Sequence, residues 1–247
     1  MRRLVLLALC VLLAACAQGE RPAGPAIVQL AQRLGRAPVV VASLLIRTEP
    51  EQGEGEQFSL RLWATADGAV RLRAKQLDVD FLEALVRADG SYEALLVRER
   101  VATSGTLGGP ADPPLLRDLR LLMGELRDGP VPPGVSSAGS AVLQTWRDPG
   151  GWDAALDLGP DGLPLAKRLG ADGVVVRSLA YGPWQAYDGL IRSSLVRLRV
   201  ADIAGRTSIR IKTLDTPPTI SAERMALRLP DGVERVDPAE FSRRMPQ

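Results

Sequence analysis

Residues 58–77 read FSLRLWATADGAVRLRAKQL, two alternating segments on either side of an Asp-Gly pair. Leu60 and Leu62 alternate with Ser59, Arg61 and Trp63, while Val70, Leu72 and Ala74 alternate with Arg71, Arg73 and Lys75. Successive side chains of a strand point to opposite faces, so each segment has one oily and one basic side. Asp67-Gly68 is a hairpin signal, which makes the two segments antiparallel neighbours.

The same grammar extends both ways. VVVASLLIR (39–47), DFLEALVRA (80–88) and SYEALLVRER (91–100) read as further strands, separated by the charged glycine-bearing loop EPEQGEGEQ (49–57) and a second Asp-Gly turn at 88–91. Later, AVLQTW and WDAALDLG form a hairpin around RDPGG, and LPLAKRLG, GVVVRSLAY, SLVRLRVAD, RTSIRIKTL and MALRLP follow as strands. Val196, Leu198, Ile209 and Ile211 oppose Arg197, Arg199, Arg210 and Lys212. No sequence repeat occurs, and both halves are expected to share one strongly curved sheet. The arginine-rich side is either a solvated face with acids nearby, the commoner meaning, or a patch for anionic lipid or polysaccharide.

Two helices interrupt the strands. PAIVQLAQRLGR (25–36) spaces Ile27, Leu30, Ala31 and Leu34 on one side, with Gly35 as its stop. Between two Gly/Pro-rich loops, a helix around 114–127 aligns Leu115, Leu119, Leu122 and Leu126, with Met123 beside them. Such a stripe serves either as plain core or as a lid over a ligand.

The front of the chain, MRRLVLLALCVLLAACAQGE, has a basic start, an uncharged run from Leu4 to Ala15 and a small-residue exit. As a helix that run reaches ~18 Å, short of the ~30 Å core of a bilayer. It reads as a signal peptide, residues 1–15, and Leu13-Ala14-Ala15-Cys16 resembles the lipobox of bacterial lipoproteins. That resemblance implies diacylglyceryl and N-acyl groups on Cys16 (palmitate-type chains), no other cofactor, and a tether over 16–24 leading into one domain over 25–247. Anchoring through several acyl chains is effectively stable. Ala17 in place of Asp favours the outer membrane, with the domain facing the periplasm.

Composition narrows the function. The chain has 31 Lys plus Arg and 29 Asp plus Glu, and losing residues 1–15 removes Arg2 and Arg3 and no acid. That balance provides no electrostatic footprint for nucleic acid. There is no histidine, which removes the usual general base and the commonest metal ligand, and Cys10 and Cys16 leave no pair for a disulfide in the mature chain. No metal site is expected. Asp78 and Asp80 in LDVDF would share a strand face, the best placed acid pair, although a turn is the commoner meaning.

The segment 187–237 resembles the end of the outer-membrane lipoprotein carrier and receptor superfamily, the LolA/LolB-like proteins. The matching residues are Asp202, Gly205 and Thr207 in D-x-x-G-x-x-T, then Pro217 and Pro218, then Leu229, Pro230, Gly232 and Val233 in L-P-x-G-V. The resemblance implies a mainly β fold with a few helices: an unclosed, strongly curved antiparallel β-barrel whose apolar concave side is covered by a helical lid and holds acyl chains.

Three functions follow. The first is a non-enzymatic binder of a lipid or lipoprotein acyl chain, in lipoprotein localisation or outer-membrane maintenance. Its groove is formed by Leu60, Leu62, Val70, Leu72, Val196, Leu198, Ile209 and Ile211, under a lid of Leu115, Leu119, Leu122 and Met123. The second is a structural lipoprotein with a solid interior that scaffolds an envelope complex with a protein partner. The third is an enzyme using Asp78 and Asp80. The first is preferred.

Overall fold

The computed structural model describes residues 24–108, 112–133, 138–139, 142–147, 151–201 and 203–245. Cys16, the signal segment, most of the tether and Asp202 lie outside them. No described helix is long and apolar enough to cross a membrane.

Fourteen strands form one curled, open sheet. In chain order they are β1 (Val40–Glu49), β2 (Gln57–Ala64), β3 (Val70–Gln76), β4 (Val79–Val86), β5 (Ser91–Leu96), β6 (Val101–Thr106), β7 (Ala138–Gly139), β8 (Leu143–Arg147), β9 (Asp153–Leu158), β10 (Pro164–Ala171) and β11 (Val174–Tyr181), with β14 (Leu195–Val200), β15 (Arg206–Asp215) and β16 (Glu234–Arg235). Their order in space is β16-β6-β5-β4-β3-β2-β1-β15-β14-β11-β10-β9-β8-β7, antiparallel except where β16 runs parallel to β6. β7 and β16 lie at opposite ends of the sheet, so the barrel is unclosed. A separate hairpin of β12 (Trp184–Tyr187) and β13 (Leu190–Ser193) falls between β11 and β14 in the chain.

The opening hairpin has the expected register: Leu62 faces Leu72 and Trp63 faces Arg71 across β2 and β3. Alternation then puts Leu60, Leu62, Val70, Leu72 and Ala74 in the interior, each at most 5 % exposed. The halves meet where β15 returns to β1, from Val41 opposite Asp215 to Glu49 opposite Arg206.

Helices fill the concave side. α1 (Gly24–Leu34) lays Ile27, Leu30 and Leu34 against Trp146, Leu156 and Leu169 of the C-terminal half. The expected 114–127 helix is present as α2 (Pro114–Arg117) and α3 (Leu119–Arg127), divided at Asp118. α3 packs Leu119, Met123 and Leu126 onto the N-terminal half. Two further helices follow, α4 (Ala222–Met225) and α5 (Pro238–Arg244), the latter burying Phe241 in the core near β6.

Several segments differ from the sequence reading. MALRLP forms no strand: Met225 ends α4, and Ala226–Pro230 carries no ladder; Ala226 presents its carbonyl to Arg71 on the convex side of β3. SYEALLVRER ends as a strand at Leu96, and Val97–Arg100 turn the chain into β6.

Candidate functional site

The apolar concavity under α3 collects most of the expected groove. Leu60, Leu62, Val70, Leu72 and Ile211 share one buried cluster with Leu119 and Met123, and Ile209, Leu115 and Leu122 pack against it half-buried. Val196 and Leu198 lie in a neighbouring small cluster with Leu179. Leu121, on the other flank of α3, touches that cluster and the one beneath α1. The lid helix thus spans all three apolar patches.

Side chains occupy this interior: Leu60, Leu62 and Leu72 are 0–1 % exposed. An opening of about 260 Å³ lies along one flank of α3, between Leu119, Met123 and Gly124 and the ends of β3, β4 and β5 at Val70, Val86 and Gly90, and is lined also by Arg87, Arg120, Arg127 and Asp128. A broader depression of about 630 Å³ lies at the other end of the sheet, lined by Trp146, Ala154, Ala155, Gly170, Val174 and Val175 among others.

Polar contacts hold the lid in a mostly oily setting. The Arg192 guanidinium donates to the carbonyls of Leu34 and Gly35 at the end of α1, of Leu126 and Arg127 at the end of α3, and of its neighbour Ile191, at 2.6–3.0 Å. The four from Leu34, Gly35, Leu126 and Arg127 lie at the negative ends of two helices, so one cation caps both. Burial pulls the Arg192 pKa down to about 10, opposed by the charges of Glu125 and Asp128. Lys167 of β10 reaches Glu125 of α3 at 3.1 Å, and the Tyr181 hydroxyl donates to the other Glu125 oxygen at 2.9 Å. The Tyr181 phenol is pushed well above its ordinary range by burial and then by that carboxylate. Near the start of α3, Asp118 pairs with Arg177 at 3.1 Å at a half-buried position.

Sequence reasoning missed Arg192, Glu125, Lys167 and Tyr181. The alternation rule sends charged strand residues to the wet face, and nothing local announces that Lys167 points inward to meet an acid far along the chain.

The acid pair does not form. Asp78 sits in the β3–β4 turn with φ +62°, and Asp80 faces Arg73 and Lys75, each at 3.8 Å. Among the described residues, no group of three or more His, Cys, Asp or Glu side chains is placed to hold a metal ion.

The motif residues outside Asp202 have structural roles. A Cβ at Gly205, whose φ is +98°, would lie 2.3 Å from the Glu49 carbonyl oxygen, so the β14–β15 turn can cross the end of β1 only with glycine there. Thr207 pairs with Thr48 and Leu198 on the flanking strands. Pro217 and Pro218 follow the end of β15, and the Leu229–Val233 turn delivers β16 to the edge of β6, with Arg100 donating to the Asp231 carbonyl.

Solved structures with this architecture include a DUF1329 family protein from Desulfovibrio piger (TM-score 0.58, 14 % identity, 83 % of this chain and 96 % of that one). A LolA superfamily protein from Nitrosomonas europaea matches with a TM-score of 0.57 at 7 % identity, over 84 % of this chain and 98 % of its own. The chain has a LolA/LolB-like fold. A putative outer membrane lipoprotein-sorting protein domain from Vibrio parahaemolyticus also matches this LolA/LolB-like chain (TM-score 0.51, 11 % identity, 81 % and 94 %). No family model and no curated protein sequence matches it.

Proposed function

We propose that this LolA/LolB-like chain is a non-enzymatic, lipid-anchored envelope protein that takes an acyl chain between α3 and the concave face of the sheet. The supporting observation is the amphipathic helix α3 laid across three apolar patches beside an opening of about 260 Å³. Arg192 fixes the C-terminal end of α3, while its N-terminal end is tied by the half-buried Asp118–Arg177 pair and broken from α2 at Asp118. Opening the lid at its start requires breaking the Asp118–Arg177 pair, and an inserted chain gains about 25 cal/mol per Å² of buried surface without any catalytic group. Cys16 carries the diacylglyceryl and N-acyl groups that hold the domain at the outer membrane on the periplasmic side, within reach of lipids or lipoproteins.

The test is native mass spectrometry of residues 17–247, expressed without the signal segment and Cys16, with titration of the fluorescent fatty acid cis-parinaric acid. Retained lipid, saturable probe binding and faster amide exchange at 119–123 on loading are expected. An empty protein that ignores the probe supports a second reading, a scaffold with a protein partner, which the 0–1 % exposure of Leu60, Leu62 and Leu72 favours.

A further inference from the structure

The convex face divides into two electrostatic regions. On β3–β5 the cations are neutralised across the ladder: Arg71 and Arg73 meet Glu83, Lys75 and Arg73 face Asp80, and Arg87 meets Glu93 at 2.9 Å. That is the solvated-face reading. On β14, β15, β1 and β2 only Arg206, paired with Glu49 across β15 and β1, follows it. Arg61, Arg197, Arg199, Arg210 and Lys212 are exposed and form no ion pair with any described residue, and Arg47 reaches Glu49 only at 4.0 Å.

Register places these cations together. Arg197 lies opposite Ser208, which lies opposite Arg47, and Arg210 is two residues along β15 from that row. Lys212 follows next on β15, and Arg61 sits opposite Ser43 on the far side of β1. With strands ~4.8 Å apart, the four strands spread these charges over roughly 15 Å.

We propose that this face is a docking surface for a bilayer carrying anionic phosphate headgroups, a role separate from acyl binding inside the sheet. The occupant follows from the layout. A single phosphate needs converging donors in a cradle, whereas these cations stand side by side on a broad outward surface with serines between them. They match a plane of separate anions. Half-buried Trp63, under the Arg61 guanidinium at 5.2 Å, adds an amphipathic ring of the kind found at membrane interfaces.

Sedimentation of residues 17–247, which lack both the apolar signal segment and the acylated cysteine, with vesicles tests this without an anchor. Binding to phosphatidylglycerol–phosphatidylcholine vesicles is expected at low salt, falling steeply as salt rises and absent with phosphatidylcholine alone. Each surface cation contributes about fivefold to partitioning, so R197S/R199S/R210S/K212S together should lose a hundredfold or more. R147S/R168S, outside the patch, should stay within about threefold. The thermal midpoint of each variant verifies folding, and salt dependence of the unsubstituted chain stands independently of any variant. Undiminished binding by the quadruple variant, equal binding to neutral vesicles, or binding to inorganic polyphosphate without binding to anionic vesicles would overturn the proposal. Each is distinguishable from an empty groove, because cis-parinaric acid uptake is read without vesicles.

Discussion

Arg192 is 2 % exposed, and the two helix ends it caps have no other described cation so placed. Replacing it by Met leaves the carbonyls of Leu34, Gly35 and Leu126 without that donor, while Arg127 keeps the Ala37 amide, and we expect a loss on the order of 3 kcal/mol in thermal or urea unfolding. Lys restores only part, since one ammonium cannot span carbonyls on both helices. A second residue-scale prediction concerns alkaline pH. Burial, then the nearby Asp112 carboxylate at 3.4 Å, pushes the Tyr92 phenol up to about 12 from an ordinary 10. The folded state therefore holds a proton the unfolded chain releases, so this contribution is full below pH 10 and is lost as pH rises from 10 through about 12. Tyr92→Phe should flatten that limb of a stability–pH curve relative to the parent; an unchanged slope refutes the assignment. Neither site was legible from sequence. LIRSS carries no sign that its arginine turns inward, because the β12–β13 hairpin that aims it has too few residues to establish an alternation.

Among elements, α3 shows where periodicity informs and where it stops. The spacing of Leu115, Leu119, Leu122 and Leu126 located the lid and its apolar side, yet Glu125, 8 % exposed, lies buried on the same helix. Its partners come from β10 and β11, more than forty residues on, so only the fold reveals that the acid is neutralised. We expect Glu125→Gln to cost roughly 3–5 kcal/mol by stranding the Lys167 ammonium in a dry site. The E125L/K167M double variant should recover most of that loss in the same denaturant titration. If it melts as early as E125Q, the pair is not the unit that sets the cost. Other elements depart from their local pattern for identifiable reasons. Met225–Pro230 alternates like a strand but ends at a proline and finds no free ladder. The closing helix α5 has a start signal in Asp237, whose carboxylate accepts from the Glu240 amide at 2.8 Å, with Pro238 behind it, but its seven residues are too few to establish a helical period.

At the scale of the molecule, alternation alone made a curved sheet legible, since every long segment except the two helices has one oily side. The seam was not legible: β1 pairs with β15, about 160 residues away, and local pattern carries no information about such a partner. That seam bears on cooperativity. β1 is paired on both sides along nearly its whole length, and Leu44 at its middle, 1 % exposed, lies opposite Leu60 in one half and Ile211 in the other. Two halves joined this way cannot separate without exposing an inner strand's backbone groups on both edges. They should unfold together. Fluorotryptophan NMR can read this directly, because Trp63 reports on the N-terminal half while Trp146, Trp152 and Trp184 report on the other. All four signals should share one melting midpoint, and Leu44→Ala, expected to cost about 2–5 kcal/mol, should lower all four by the same amount. A midpoint for Trp63 separate from the other three, or a shift of Trp63 alone in the variant, would mean that the halves fold independently and that the ladder between β1 and β15 is a contact rather than a continuous sheet.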